Sequence, residues 1–350
     1  MRRQWIQIAG VIVLVSAVAL VSSVRAQVRT SDATAEAGSP RTPWGEPDLQ
    51  GIWGTEALAP LERPVEIGDR EFLTDEEIAA LESERSQDLG RDERAAPGTE
   101  TDVAGAYNNV WQWNAYKTTS RRTSLIVDPT NGRLPPLTEG AIQRAAAPEP
   151  YNTGRMNRAD GPEDRSLTER CFGSTLPNLG ERDYFQIVQS PGYVTVYYEH
   201  GQGGGGNRII PVDNSAHLPS HLRLWLGDAR GRWDGDTLIV DTTNFTAKTN
   251  SRGSRENLHL VERFRRVDAN TLDFEVTVED PTTWTRPWTV RNTFTRNDDR
   301  ENRIFESTCH EGNVGLTGVL ANTRAADKAF AEGRGPDPAT MRLGSRRGRR

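Results

Sequence analysis

The segment Leu272-Asp273-Phe274-Glu275-Val276-Thr277-Val278-Glu279 alternates apolar and polar residues without a break. Alternation with a period of two puts every second side chain on one face, so this stretch reads as a strand with one face on a core and the other in water. Half-buried strands of this kind belong to antiparallel sheets. The neighbouring text repeats the pattern. Residues 185–189 and 193–200 are apolar-rich and meet across Ser190-Pro191-Gly192, and residues 207–212 give a further strand. Trp233 and residues 237–241 flank Asp234-Gly235, a dipeptide favoured in tight hairpins. Residues 258–267 and 272–278 flank Asp268-Ala269-Asn270, residues 288–294 continue the meander, and Ile304-Phe305-Glu306 is predicted as its last strand. Parallel strands need long crossovers, and no long helical segment separates these runs. The predicted fold class is therefore mainly β, an antiparallel meander forming a lipocalin-like barrel or a strongly curved sheet, with a few short helices.

The 32 glycines and 20 prolines among 350 residues suit such a turn-rich chain. Thr74 as N-cap and Glu77 three residues later form a capping box that opens a helix of about ten residues. Residues 138–147 predict a second short helix, ended by Pro148-Glu149-Pro150, and Ser124-Leu125-Ile126-Val127-Asp128 predicts a strand closed by the turn Pro129-Thr130-Asn131-Gly132.

Residues 1–26 read as an export signal: Arg2 and Arg3 form a basic start, Trp5 to Leu20 is almost wholly apolar, and Val24-Arg25-Ala26 offers a cleavage site. Cleavage after Ala26 predicts a periplasmic or secreted protein with no stable membrane insertion. Residues 27–43 read as a flexible lead-in, 44–332 as one β-rich domain with an N-terminal arm, and 333–350 as a disordered basic tail. The formal charge is −6; losing Arg2, Arg3 and Arg25 makes it −9, and setting aside the tail's six arginines and one aspartate leaves −14 on residues 27–332. A body that acidic argues against nucleic acid as a partner. The two cysteines, Cys171 and Cys309, predict one disulfide in an oxidising compartment.

The stretch from Gly231 to Phe245, GRWDGDTLIVDTTNF, resembles the signature of a large family of exported bacterial proteins of unknown function. Further matching pieces are Pro47 to Trp53, Thr123 to Pro129, Gln186 to Tyr193, His259 to Phe264, Asp280 to Thr289 and Cys309 to Glu311. The glycine-rich segment Gly201 to Gly206 departs from that family's usual text. Gly51-Ile52-Trp53 is similar to the first-strand motif of lipocalin-like barrels, a resemblance that implies a Trp packed at the closed end against an Arg of the final strand.

Three kinds of chemistry are open to such a chain. Inward parity of Glu262 with Leu260 and Phe264, and of Asp241 with Ile239 and Phe245, offers a carboxylate pair for glycosidase-like hydrolysis, helped by His259. His217 and His221 are candidate metal ligands, with His200 and His310 as spatial partners. Trp225, Trp233, Trp284 and Trp288 are candidate stacking surfaces for a small apolar or glycan-like ligand in a barrel cavity, and Trp111 with Trp113 forms a third near pair. Ligand binding leads, a hydrolase is the alternative, and an envelope assembly factor is the third class. The cofactor stays unknown at this point; a G-x-S-x-G elbow is absent, which leaves Ser-His-Asp catalysis without support, and Gly203 to Gly206 lacks the Lys-Ser/Thr pair of a phosphate loop.

Overall fold

The computed structural model describes residues 40–55, 57–86, 118–146, 161–162, 165, 170–171, 176–179, 184–199, 206–297, 304 and 314–336. Residues 1–26, expected as an export signal, most of the expected lead-in, Trp111, Trp113, His200, residues 201–205, Cys309, His310 and residues 337–350 lie outside these residues. Twelve strands are described: β1 (Gly51–Gly54), β2 (Ala57–Leu58), β3 (Thr118–Thr119), β4 (Ile126–Asp128), β5 (Phe185–Ser190), β6 (Tyr193–Tyr198), β7 (Gly206–Pro211), β8 (Asp228–Asp234), β9 (Thr237–Thr243), β10 (His259–Arg266), β11 (Thr271–Glu279) and β12 (Trp288–Arg296). The helices are α1 (Asp75–Ser86), α2 (Glu139–Ala146) and α3 (Val314–Ala331).

Nine strands form one continuous sheet in the order β7-β6-β5-β1-β12-β11-β10-β9-β8, with β4 added onto β12. Every neighbouring pair on that path is antiparallel. Eight reversals return the direction to its start, so the two end strands, β7 and β8, run parallel. They adjoin without a hydrogen-bonded ladder, which makes the barrel nearly closed, with one seam. Gly231 of β8 sits at that seam, where an added Cβ would lie 2.9 Å from Val212 Cγ2 and 3.0 Å from Ile210 Cγ2. A glycine is what allows the two backbones to approach so closely.

Two parallel strands cannot be joined by a hairpin. Residues 212–227 accordingly cross back as a strap that is tied to the far side of β8. Leu224 N and Thr246 N bond Asn244 O and Leu224 O at 2.9 and 3.0 Å, and Asn244 Nδ2 donates to Leu218 O at 2.9 Å.

The expected alternation holds throughout β11, where Leu272, Phe274, Val276 and Val278 are buried and the residues between them are not. Inward side chains from all sides of the barrel form one apolar cluster. Phe185 meets Phe294 edge to face at 4.8 Å between ring centroids, and Phe274 links Phe294 at 5.6 Å to Phe264 at 4.9 Å. Trp53 of the lipocalin-like motif is fully buried and donates from Nε1 to Leu49 O at 2.9 Å. Arg266 of β10 lies over its ring, 5.6 Å from the centroid, and Arg296 of β12, the last strand in chain order, is its partner in register.

The capping box forms as expected, with Glu77 N donating to Thr74 Oγ1 at 3.2 Å and Thr74 N to Glu77 Oε2 at 2.8 Å. Two expectations are corrected. Paired Asp234 and Thr237 leave Gly235-Asp236, not Asp234-Gly235, as the loop of the β8–β9 hairpin, with Gly235 at a φ of 57°. Ile304 of the predicted last strand lies in no strand, while Phe305 and Glu306 lie outside the described residues; α3 is a helix that no sequence signal had predicted. None of the residues of α3 is buried, and Val314 and Phe330 are exposed.

Candidate functional site

The inward faces of the strands are mostly apolar; Gln189, Arg266 and Asn292 are buried at inward positions, and four further polar residues gather in one island. Arg208 on β7 shares inward parity with Ile210, Thr242 on β9 with Leu238 and Val240, Glu262 on β10 with Leu260 and Phe264, and Tyr198 on β6 with Val194 and Val196. The Arg208 side chain reaches from the seam past β8, whose inward residues Ala229 and Gly231 are small. Its Nη2 donates to Glu262 Oε2 at 2.5 Å and to Thr242 Oγ1. Arg208 is 3% exposed and Glu262 1%.

Burial opposes the charge on Arg208, but the Glu262 carboxylate and Tyr198 hold its pKa above the ordinary value. Tyr198 is pushed up to about 12, chiefly by burial. Arg208 Nε and Nη1 are buried, and neither has a hydrogen-bond partner among the described residues. The Tyr198 hydroxyl is within hydrogen-bonding reach of the guanidinium and acts on its pKa, but it leaves Nε and Nη1 without a partner in good geometry.

The expected pairing of Asp241 with Glu262 is not what the structure shows. Glu262 faces Val240 across the strand pair, so Asp241, one residue on, points outward and its side chain is 41% exposed. Two features misled the parity. Ile239 is buried on the outer face, between Arg232 and Arg263 in register. Asn244, with a φ of 57°, breaks the alternation before Phe245.

On that outer face Asp241 joins the two histidines of the other expectations. Its Oδ1 lies 2.9 Å from His217 Nε2 and its Oδ2 2.9 Å from His259 Nε2. His217 Nδ1 lies 2.9 Å from Asp228 Oδ2, and His259 Nδ1 3.1 Å from Glu279 Oε2. The result is a chain of alternating carboxylates and imidazoles across β8, β9, β10 and β11. Arg230, 2.8 Å from the second oxygen of Asp228, completes three acids and three bases.

The hydrogen bond from His259, offset in part by burial, holds Asp241 below the usual carboxylate range. The reciprocal bond to Asp241, against burial and with help from Glu279, raises His259. All four ring nitrogens face carboxylates, so none is left to take a proton from a substrate. The chain fastens the strap: His217 belongs to the strap, and Leu218 N also donates to Asp228 Oδ2 at 2.8 Å.

His221 is exposed and lies outside this chain. Among the described residues, no group of three or more His, Cys, Asp or Glu is arranged to hold a metal ion. Of the tryptophans, Trp284 and Trp288 are buried against each other, edge to face at 5.5 Å. They are held by Asp280, whose carboxylate accepts from Ser254, Thr282 and Thr283 at 2.6–2.8 Å and is kept below its ordinary pKa by those bonds despite burial. Trp225 is 39% exposed on the strap. Trp233 packs on the core from β8 with its indole N–H buried and unpartnered. A groove of about 620 Å³ opens beside β1 and β5, lined by Asp48, Gln50, Ile52, Gln186, Val188 and Arg296 among others, and contains none of the expected residues.

Sequence reasoning found Glu262 and missed Arg208. The signal was present: in the strand at 207–212, Arg208 alternates with Ile210 and Val212.

Fold and site together define a nearly closed antiparallel β-barrel with a buried arginine–glutamate pair in a mostly apolar interior. No family model matches the chain, and no curated protein matches it. Among solved structures, a point mutant of the fluorescent protein UnaG aligns at 15% identity, covering 37% of this chain and 86% of that one, with a TM-score of 0.22. A likeness that low carries no argument here, and the fold rests on its own strand pairing.

Proposed function

We propose that this protein is an exported binder of small, largely apolar molecules, held inside the barrel at Arg208. One observation carries the reading: a guanidinium in the barrel interior, almost wholly buried, with Nε and Nη1 lacking partners among the described residues. Leaving a buried donor unmade costs about 1–3 kcal/mol, which a ligand oxygen placed there would recover. Apolar walls with a few convergent polar groups are the usual make-up of a small-molecule site. By register, Val240 and Val276 flank Glu262, and Val196 flanks Arg208. Export through cleavage after Ala26, membership of the exported family resembled by residues 231–245, and the Cys171–Cys309 disulfide belong to the same proposal.

Native mass spectrometry of the protein purified from its own exported compartment tests it. The expected result is excess mass that is lost on denaturation and is absent from Arg208→Met. A bare native mass, together with unchanged tryptophan fluorescence across a broad panel of apolar metabolites, would sink the reading.

A further inference from the structure

Arg208 and Glu262 neutralise each other at 2.5 Å, and both are almost wholly removed from water. Nη2 is committed to Glu262 and Thr242, while Nε and Nη1 are buried without a partner among the described residues. A ligand carboxylate drawn to those donors would bring a second negative charge beside Glu262, with one guanidinium to serve both. An ammonium would meet the same guanidinium as a like charge. Uncompensated charge in an apolar interior is strongly disfavoured, whereas an uncharged oxygen meets the donors at no electrostatic cost. Trp233, two inward positions along β8 from Ala229, adds another buried N–H without an acceptor.

We infer that the barrel takes uncharged, mainly apolar ligands bearing acceptor oxygens, such as alcohols, ketones, esters or amides, and discriminates against carboxylates and amines of the same skeleton. This rests on the reading of the barrel as a binding site. The polarity of the selection is set by Glu262: with that carboxylate neutralised, Arg208 becomes an unbalanced cation and the preference turns toward anions.

The test compares dodecanol, dodecanoate and dodecylamine at mildly alkaline pH, where the acid and the amine are charged. Each is titrated into the mature full-length protein and into Glu262→Gln, with tryptophan fluorescence and native mass spectrometry as readouts. Wild type is expected to bind dodecanol at least about tenfold more tightly than either charged analogue. Glu262→Gln is expected to reverse the order of alcohol and acid. Dodecanoate or dodecylamine binding wild type as tightly as dodecanol overturns the inference while leaving the binding reading in place. If none of the three binds either protein, the binding reading itself falls, and this inference with it. Should Glu262→Gln fail to fold, judged by circular dichroism, the wild-type comparison decides alone.

Discussion

Replacing Arg208 by methionine keeps much of the side chain's length and removes its charge. Glu262, 1% exposed, then loses the cation 2.5 Å from its carboxylate, and Thr242 loses the donor that reached it across the seam. Breaking one partner out of a buried pair costs about 3–5 kcal/mol, because the remaining charge stays buried and uncompensated. For a domain of this size each kcal/mol lowers the melting temperature by about 2–4 °C, so Arg208→Met should melt about 6–20 °C below wild type. The double variant Arg208→Met/Glu262→Leu removes both charges and should recover most of the loss, since apolar replacement of a buried pair is often neutral or stabilising. Urea titrations of the three proteins, followed by tryptophan fluorescence, give the free energies if the slopes agree. A cost below about 1 kcal/mol for Arg208→Met, or a double variant no more stable than the single one, would refute the account of the pair as a brace.

Two further outcomes follow from the seam and its strap. Gly231→Val places side-chain carbon against Ile210 and Val212, where even a Cβ would approach to 2.9–3.0 Å, and should cost about 1–3 kcal/mol in the same urea assay; a neutral result would mean the seam is not tightly closed there. His259 has its pKa raised above 6.5 by Asp241 and Glu279, so its stabilisation is complete below pH 6.5 and is lost as pH rises through the folded value. Melting temperature should therefore fall over that alkaline interval in wild type and fall less in His259→Gln, and identical profiles for the two proteins would remove His259 as the cause.

The parts of this fold that the sequence made legible are those where one local rule decides. Period-two alternation located β10, β11 and β12 to within about two residues, and the capping box placed the start of α1. The parts that stayed hidden depend on which strand meets which. Inward polar residues look like outward ones until their neighbours' parity is known, which is why Arg208 went unnoticed between Asn207 and Ile209 although Ile210 shares its face. Asp241 failed in the opposite direction, since burial of Ile239 on the outer face and the left-handed Asn244 made an outward position look inward. The start of β8 at Asp228 carries no apolar run, because its inward positions, Ala229 and Gly231, are small where β7 and the Arg208 side chain pass.

The count of strands accounts for much of the rest. An antiparallel path of nine strands cannot close on itself with another antiparallel pair, so its ends must lie side by side and parallel. Such ends gain no hairpin, and here they form no ladder, so the closure depends on side chains. Inside the barrel Arg208 spans the seam to Thr242 and Glu262; outside it the strap required by the parallel ends is fastened through His217 to Asp228 and Asp241. The two polar clusters that sequence parity had merged into one catalytic pair are thus the inner and outer ties of the same seam. Among the described residues only the inner one keeps donors to spare, and on the proposed reading that difference makes the barrel interior, rather than the histidine chain, the place where a ligand would add bonds that the protein alone does not make.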